Sequence, residues 1–212
     1  MNHPYQRPVV PSVQPRSRGC AAAVVVVLTL LAVLCVVGGV WFLLSRERLE
    51  TGHFEAAPVC AEGETEALAG LVPGYELALE EPVGNGQNAF GEGWQCRWAT
   101  PEGQGETVPA FATLVVVASP GPGGVLTAED NFAHTTSNPQ AAPVADLGDE
   151  AAAWYRTGGF PAGCVGVRES NLYLETCYGA AADYAVRNSV DEERAMEGAE
   201  ELARAAVAAL PG

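Results

Sequence analysis

The chain has 212 residues, and its 26 acidic side chains outnumber the 11 basic ones, all of them Arg, to give a formal net charge of −15. Because residues 1–44 hold three Arg and no acid, residues 45–212 carry 8 − 26 = −18, and so acidic a domain repels phosphate backbones, which excludes nucleic acid as a partner. Hydrophobic residues make up 48% of the chain and charged residues 17%, a composition that excludes a wholly disordered protein.

Residues 1–19 form a Pro-rich arm. Pro4, Pro8, Pro11 and Pro15 lie among Gln and Ser residues, and a stretch with so few apolar side chains cannot build a core. We expect the arm to be disordered or polyproline-like. Pro8 and Pro11 fit the P-x-x-P pattern, which partner domains bind, and the sequence leaves open whether this arm has a cytoplasmic partner.

Residues 20–44 form a single uncharged, apolar segment. About 20 such residues suffice for a helix to cross the hydrocarbon core of a membrane, so we predict a transmembrane helix. Trp41 and Phe42 lie near its end, where aromatic rings favour the membrane interface. The segment is longer than the apolar core of a cleaved signal peptide, and Cys35 lacks the small preceding residues of a lipoprotein signal, so we expect an uncleaved signal anchor.

The charges beside this segment predict its orientation. Arg7, Arg16 and Arg18 precede it without any acid, and positive charge stays on the cytoplasmic side. We therefore expect a single-pass protein of the cell membrane with a cytoplasmic N-terminus. Residues 45–58 would be a linker, and residues 59–212 are numerous enough for one extracytoplasmic domain with a hydrophobic core.

The first half of this domain is predicted to contain one helix and three strands. A short helix covers 61–71, and a strand covers 75–79. A Gly-rich loop over 84–93 leads into a strand over 94–99. The segment 111–118 is apolar in both alternation phases, so we expect a strand whose two faces are both covered.

The second half begins with a helix over 127–135, for which Thr127 is the expected cap. A strand over 151–156 follows, and strands over 164–168 and 172–178 form a hairpin. Ser189 opens a final helix that reaches residue 210. The inward stripe of that helix is predicted to be Met196, Ala199, Ala203, Ala206 and Leu210. These elements predict an α+β fold: an antiparallel sheet with packed helices, preceded by a single transmembrane helix.

Cysteine usage indicates an oxidising compartment. Cys20 and Cys35 belong to the membrane segment or its edge. The four remaining Cys residues lie in the outer domain, where four Cys suggest two disulfides with three possible connectivities. They are Cys60, Cys96, Cys164 and Cys177.

The hairpin selects among these connectivities. Antiparallel pairs whose residue numbers sum to 341 leave Glu169 to Leu172 as a four-residue loop and place Cys164 opposite Cys177, close enough for a disulfide. The second bridge is then Cys60–Cys96. A zinc site or free thiols are the alternatives, but no C-x-x-C pair occurs, so we predict no metal site of this kind.

No catalytic pattern is present. The His residues at 3, 53 and 134 lack the spacing of a metal site, and no G-x-S-x-G stretch or phosphate-binding Gly-rich loop occurs. The sequence therefore predicts no catalytic residue and no cofactor.

Two groups of side chains remain as candidates for binding. Asp146, Asp149 and Glu150 cluster before a strand, where they either bind calcium or organise a turn by accepting hydrogen bonds from backbone N–H groups; the spacing favours the turn. The other group is aromatic, and its members are expected in the core or along a ligand pocket. They are Trp94, Trp98, Trp154, Tyr155, Tyr173 and Tyr178.

Four short stretches carry a family resemblance. They are Cys60 before a helix, Cys96-Arg97-Trp98 on a strand, Leu147-Gly148-Asp149-Glu150-Ala151 before a strand, and Arg168-Glu169-Ser170-Asn171-Leu172 at the hairpin. With them, residues 58–210 resemble a family of actinobacterial envelope proteins, mostly lipoproteins, catalogued as a domain of unknown function. They are also similar to the extracellular sensor domain of mycobacterial-type serine/threonine kinases.

This resemblance implies a disulfide-bonded α+β domain that binds something at the cell surface, without catalytic residues. The chain departs from the lipoproteins in lacking their lipidation signal, and from the kinases in lacking a catalytic domain. We expect a membrane-anchored extracytoplasmic binding or sensor-like module, with an envelope ligand or envelope protein as its partner. The alternatives are an envelope hydrolase that uses Asp149 and Glu150, or a purely structural envelope protein.

Overall fold

The computed structural model describes residues 18–47, 50–83, 91–101, 107–137, 140–185 and 188–211. The chain divides into two compact units, Met1–Ser45 and Arg46–Gly212. Most of the Pro-rich arm and most of the loop predicted over 84–93 lie outside the described residues.

Helix α1, Arg18–Glu47, has 30 residues. Its window Val24–Phe42 has a mean hydropathy of 2.8 and no buried side chain. The hydroxyl of Thr29 donates to the Val25 carbonyl at 2.8 Å, which satisfies this polar side chain within the helix. Within the described part of the chain, α1 is the one helix long and apolar enough to cross a membrane.

Seven strands of the second unit form one antiparallel sheet within the described residues, in the order β1-β2-β3-β7-β6-β5-β4. They are β1 (Glu76–Pro82), β2 (Glu92–Ala99), β3 (Ala110–Ala118), β4 (Ala142–Pro143), β5 (Glu150–Arg156), β6 (Ala162–Glu169) and β7 (Leu172–Ala180). The first residues of β2 occupy the end of the predicted loop, and the two-residue β4 was not predicted.

Three helices and a 3-10 turn accompany the sheet. They are the 3-10 helix Cys60–Gly63, α2 (Glu66–Leu71), α3 (Gly124–Thr135) and α4 (Glu192–Ala208). The helix predicted over 61–71 is thus split, because the Thr65 side chain accepts a hydrogen bond from the Leu68 amide at 3.3 Å and caps α2 separately. The predicted α+β class is confirmed.

One face of the sheet carries the main core. The largest buried side chains there include Trp98, Leu114, Val116, Val165, Val167 and Leu174. Helix α4 packs across this face, where the Thr176 hydroxyl donates to the Ala199 carbonyl at 3.0 Å. Gly163 permits this close approach, because a Cβ there would collide with the Ala195 carbonyl oxygen.

The opposite face of the sheet is only partly covered. Helix α3 contacts β3, β6 and β7. Val117 of β3 is 3% exposed, but Thr113 and Val115, on the same face, are only half-buried. The expectation that both faces of this strand are covered is therefore correct for only part of its length, and an open area remains beside α3.

The predicted helix starts were wrong. Helix α4 is capped by Asp191, whose carboxylate accepts from the Arg194 amide at 2.9 Å, and Ser189 instead forms a β-bridge. The buried residues of α4 are Ala195, Gly198, Ala199, Leu202 and Ala203, so only Ala199 and Ala203 of the predicted stripe are fully buried.

Helix α3 also begins earlier than predicted. Its N-cap is Gly123, at φ 82°, a left-handed conformation that glycine adopts without steric cost. Thr127, the expected cap, lies inside the helix, and its hydroxyl donates to the Gly123 carbonyl at 3.1 Å. A hydroxyl bonded back to a carbonyl within the same turn does not cap the helix.

The β6–β7 hairpin has the predicted register. Cys164 lies opposite Cys177, and the ladder continues to the pair Glu169 and Leu172. Glu169 and Leu172, which were expected in a four-residue loop, therefore belong to the ladder, and the loop comprises only Ser170 and Asn171, with Ser170 at φ 54°.

Both predicted disulfide pairings are present. Cys60–Cys96 joins the 3-10 helix to β2 with a Cα–Cα distance of 5.6 Å. Cys164–Cys177 joins β6 to β7 with a Cα–Cα distance of 4.1 Å. The two bridges thus lie at different places in the sheet, one near its β1 edge and one beneath the open area.

Part of the predicted linker belongs to the folded domain. The buried Asn171 accepts a hydrogen bond from the Phe54 amide at 2.9 Å, and its own amide donates to the Phe54 carbonyl at 2.8 Å. It also donates to the Ser119 carbonyl at 3.1 Å. We call this set of bonds the Asn171 clasp; it fixes residues near 54 against the hairpin loop.

Candidate functional site

The carboxylate turn predicted at 146–150 lies against the hairpin. Arg168 donates to Asp149 at 2.8 Å and to Glu150 at 3.0 Å, and its side chain is only 13% exposed. The Ser170 amide donates to the same Asp149 oxygen at 2.8 Å. The turn and the hairpin, two stretches of the family resemblance, are thus one interaction network, which we call the Arg168 corner.

The Arg168 corner favours the structural interpretation of the turn over calcium binding. One guanidinium already bridges both carboxylates, and the Asp146 carbonyl accepts a hydrogen bond from Arg204 at 3.0 Å. Among the described residues, the three carboxylates do not form a group close enough to share a metal ion. A depression of about 740 Å³ adjoins this corner, and Arg168 is the one Arg among the described residues that line it.

Cys164, Cys177 and Glu175 are the one cluster of potential metal ligands among the described residues, with ligand atoms within 4.8 Å of one another. The two sulfurs form a disulfide, so neither is a thiolate, and thiolate is the form that binds a metal. This cluster therefore does not offer the ligands of a zinc site.

A groove of about 450 Å³ occupies the open area beside α3. Its walls come from β1, β2, β3, β5 and β7 and from the loop that follows β5. The side chains that define its chemistry are Arg97, Phe111, Thr113, Arg156, Phe160 and Glu175. We call it the sheet groove.

Two unpaired cations line the sheet groove. Arg97 and Arg156 are both exposed, and neither forms an ion pair within the described part of the chain, whereas Arg168 and Arg204 both do. Arg194, on the other side of the sheet, also forms no ion pair in the described part of the chain, so what distinguishes Arg97 and Arg156 is that both line one concave site. They give the groove a local positive charge on an acidic domain.

Aromatic rings form one side of the groove. Phe111 and Phe160 pack edge to face, with their centroids 5.4 Å apart, and Arg97 lies over the Phe111 ring at 5.2 Å. Gly179 makes room for the Phe111 ring, because a Cβ there would lie 2.6 Å from it. Phe160 is 36% exposed, so it presents apolar surface to the solvent in the groove.

A carboxyl group lies in the floor of the groove. The Tyr173 hydroxyl donates to Glu175 at 3.1 Å, and the other Glu175 oxygen lies 3.3 Å from the Cys177 sulfur. Burial raises the pKa of Glu175 above its ordinary value, although Tyr173 and Arg156 favour the charged form. Burial and the adjacent Glu175 both raise the pKa of Tyr173.

The predicted aromatic candidates do not line this groove. Trp98, Trp154, Tyr173 and Tyr178 are at most 7% exposed, as expected of core residues, and Trp94 and Tyr155 are half-buried. Sequence reasoning missed Phe111 and Phe160 as groove residues. A signal existed for Arg97: strand alternation places it on the face opposite the buried Cys96 and Trp98.

Comparisons with models of known protein families, with curated proteins and with solved structures find no match to this chain. The family resemblance of the sequence therefore stays a prediction.

Proposed function

We propose that this protein is a membrane-anchored extracytoplasmic binding module that takes its ligand in the sheet groove. The observation that carries the proposal is the pair of unpaired guanidiniums, Arg97 and Arg156, beside the exposed Phe160 ring. Concave sites with apolar walls and a few polar groups are typical of ligand pockets. Sensor-like and envelope functions follow from the resemblance alone and form part of this proposal.

Two features support the proposed location. The second unit contains two disulfides, which persist in oxidising compartments. The apolar segment of α1, residues 20–44, is preceded by three Arg and no acid, which favours a cytoplasmic N-terminus.

Limited proteolysis tests this topology. Protease added to intact protoplasts should digest residues 46–212 and leave the N-terminal arm protected. A tag at each end, detected by blotting, distinguishes the two sides. A protein released intact into the medium would contradict the anchor, and protection of the C-terminal tag would contradict the orientation.

The geometry gives the hydrolase alternative no support. An acid–base pair of carboxylates needs two groups that act independently on a substrate. Asp149 and Glu150 instead share one guanidinium, at 2.8 and 3.0 Å. Their arrangement explains the local fold rather than a reaction.

Mass spectrometry of the native protein tests the binding function. The full chain, purified from its own membrane in a nonionic detergent, should retain a compound that is lost in the double variant Arg97→Gln/Arg156→Gln. Arg194→Gln is the matched control, because Arg194 is equally exposed but lies on α4, across the sheet. Equal retention by all three proteins, or no retained compound, would reject the groove as the ligand site.

A further inference from the structure

We propose that the ligand of the sheet groove is a small amphipathic anion: one phosphate or carboxylate group attached to an apolar body. This inference rests on the proposed binding function and names the chemical class of its ligand. It is drawn from the charge, the apolar surface and the hydrogen-bonding groups that meet in the groove.

The charge of the groove selects an anion. Arg97 and Arg156 form no ion pair in the described residues, although Arg156 lies close enough to Glu175 to favour its charged form, and a guanidinium binds phosphate or carboxylate through paired N–H groups. A cationic ligand would be repelled by these two guanidiniums, and Glu175 is the one acidic side chain among the described residues that line the groove. Thr113 and Gln95 add neutral hydrogen-bonding groups along the same walls.

The rings select an apolar body. Phe160 is exposed beside the groove and packs edge to face on Phe111, and Leu79 and Val115 continue the apolar wall. A bare inorganic anion would leave this surface in water, whereas an acyl chain or an aromatic ring would cover it.

The surroundings limit the ligand to a small molecule. Residues 45–212 carry a net charge of −18, so a polyanion such as a nucleic acid would be repelled outside the groove. The exposed edge strand β1 beside the groove carries Glu76, Glu80 and Glu81, which opposes docking of a second copy or of an acidic protein. A small ligand with one anionic group that reaches a guanidinium of the groove avoids this repulsion.

Glu175 fits the same ligand when it is protonated. Its carboxyl lies in the groove floor next to Tyr173, where a neutral carboxyl can donate a hydrogen bond to an anion and a carboxylate would repel it. Besides Arg156 on β5, the groups that face it are the Tyr173 hydroxyl, neutral near pH 7, and the Cys164–Cys177 disulfide, which does not titrate.

Calorimetry with water-soluble probes tests the inference. The full chain in phosphatidylcholine nanodiscs is titrated with 2-naphthyl phosphate, with 2-naphthol and with inorganic phosphate. We expect measurable binding of 2-naphthyl phosphate and at least about tenfold weaker binding of either half, because hydrogen bonds to charged groups and apolar burial each contribute that much.

Variants assign the binding to the groove. Arg97→Gln and Arg156→Gln should each weaken 2-naphthyl phosphate binding by about tenfold or more, whereas Arg194→Gln should leave it unchanged. Phe160→Ala should weaken 2-naphthyl phosphate but not inorganic phosphate. Competition by monomeric dihexanoylphosphatidylglycerol would assign the anion to a lipid, and competition by phenyl phosphate alone would assign it to a soluble aromatic compound.

Other results would overturn the ligand class. Equally tight binding of 2-naphthol and 2-naphthyl phosphate would show that the groove does not recognise the negative charge. Tighter binding of 2-naphthyltrimethylammonium than of 2-naphthyl phosphate would show that Glu175 selects a cation. If these probes fail while the native protein still retains a compound that the double variant loses, the ligand class is wrong and the binding function stands. If the probes do not bind and the native protein retains no compound that the double variant loses, both the ligand class and the binding function are wrong.

Discussion

The Arg168 corner and the sheet groove use the same residue type in opposite ways. Arg168 is 13% exposed and is held by two carboxylates, whereas Arg97 and Arg156 are exposed and lack ion pairs within the described residues. A guanidinium held between two carboxylates stabilises a turn, and one without an ion pair remains available to bind a ligand. The comparison teaches that a contiguous, motif-like stretch such as the one around Arg168 can serve the local fold, while exposed cations gathered from distant strands leave a site open to a ligand.

Arg168→Gln should have the largest effect on stability. It removes a guanidinium from between Asp149 and Glu150 and releases the hairpin loop, so we expect a loss of about 2 kcal/mol in the free energy of unfolding. Chemical unfolding of the full chain in nonionic detergent, followed by Trp fluorescence, measures this. Arg194→Gln is the control, because Arg194 is exposed and forms no ion pair in the described part of the chain, so its loss should cost less than about 0.5 kcal/mol. Equal losses in the free energy of unfolding of the two variants would contradict a structural role for the Arg168 corner.

Asp149→Ala should cost less. It removes the acceptor of the Ser170 amide and one partner of Arg168, so we expect a loss of about 1 kcal/mol, by analogy with helix caps. Because the turn is structural, the melting temperature of either protein should be the same in EDTA and in millimolar calcium. A calcium-dependent rise that Asp149→Ala abolishes would make the turn a cation site.

Glu175→Gln should change the pH dependence of stability. Burial raises the pKa of Glu175 above its ordinary 4.5, so the folded state binds the proton more tightly than the unfolded state. Stability from this group is therefore greatest below pH 4.5 and is lost as the pH rises through the raised pKa. The variant should lack this loss and be more stable than the native protein at neutral pH. Parallel stability curves for the two proteins from pH 4 to about 8 would contradict the burial of the carboxyl.

Removal of the groove cations should have the smallest effect on folding. Neither Arg97→Gln nor Arg156→Gln breaks an ion pair of the described residues, so the free energy of unfolding should change by less than about 0.5 kcal/mol for each. The same unfolding assay applies. A loss comparable with that of Arg168→Gln would show that these side chains serve the fold, and the contrast between the two regions would disappear.

Much of the sheet was predictable because the side chains of a strand alternate between its two faces with a period of two residues. The register that opposes Cys164 to Cys177 followed from the alternation of the hairpin, and the structure has it. Helix starts failed because several polar residues compete to be the cap: Asp191 rather than Ser189 accepts the bond at α4. The choice depends on where the packed face of the helix begins, which local sequence does not encode.

The groove was not predictable from the sequence for a different reason. Its walls come from strands that are distant in the chain: Arg97 on β2 and Arg156 on β5 line the same groove although β3, β7 and β6 lie between their strands in the sheet. Local patterns assigned each strand, but strand order and the uncovered half of one face belong to the tertiary structure. The three carboxylates of the turn at 146–150, by contrast, are close together in the chain, so their cluster could be recognised from the sequence.

The Asn171 clasp sets an order of events during synthesis. Phe54 and Asn171 are separated by 117 residues, so the Phe54 backbone lacks this partner until the β6–β7 hairpin has been made. Long-range contacts of this kind form late, since the intervening chain must be organised first. The segment around Phe54 is consequently among the last parts of the domain to become fixed. A chain interrupted before residue 171 lacks the side chain that forms hydrogen bonds with the Phe54 backbone.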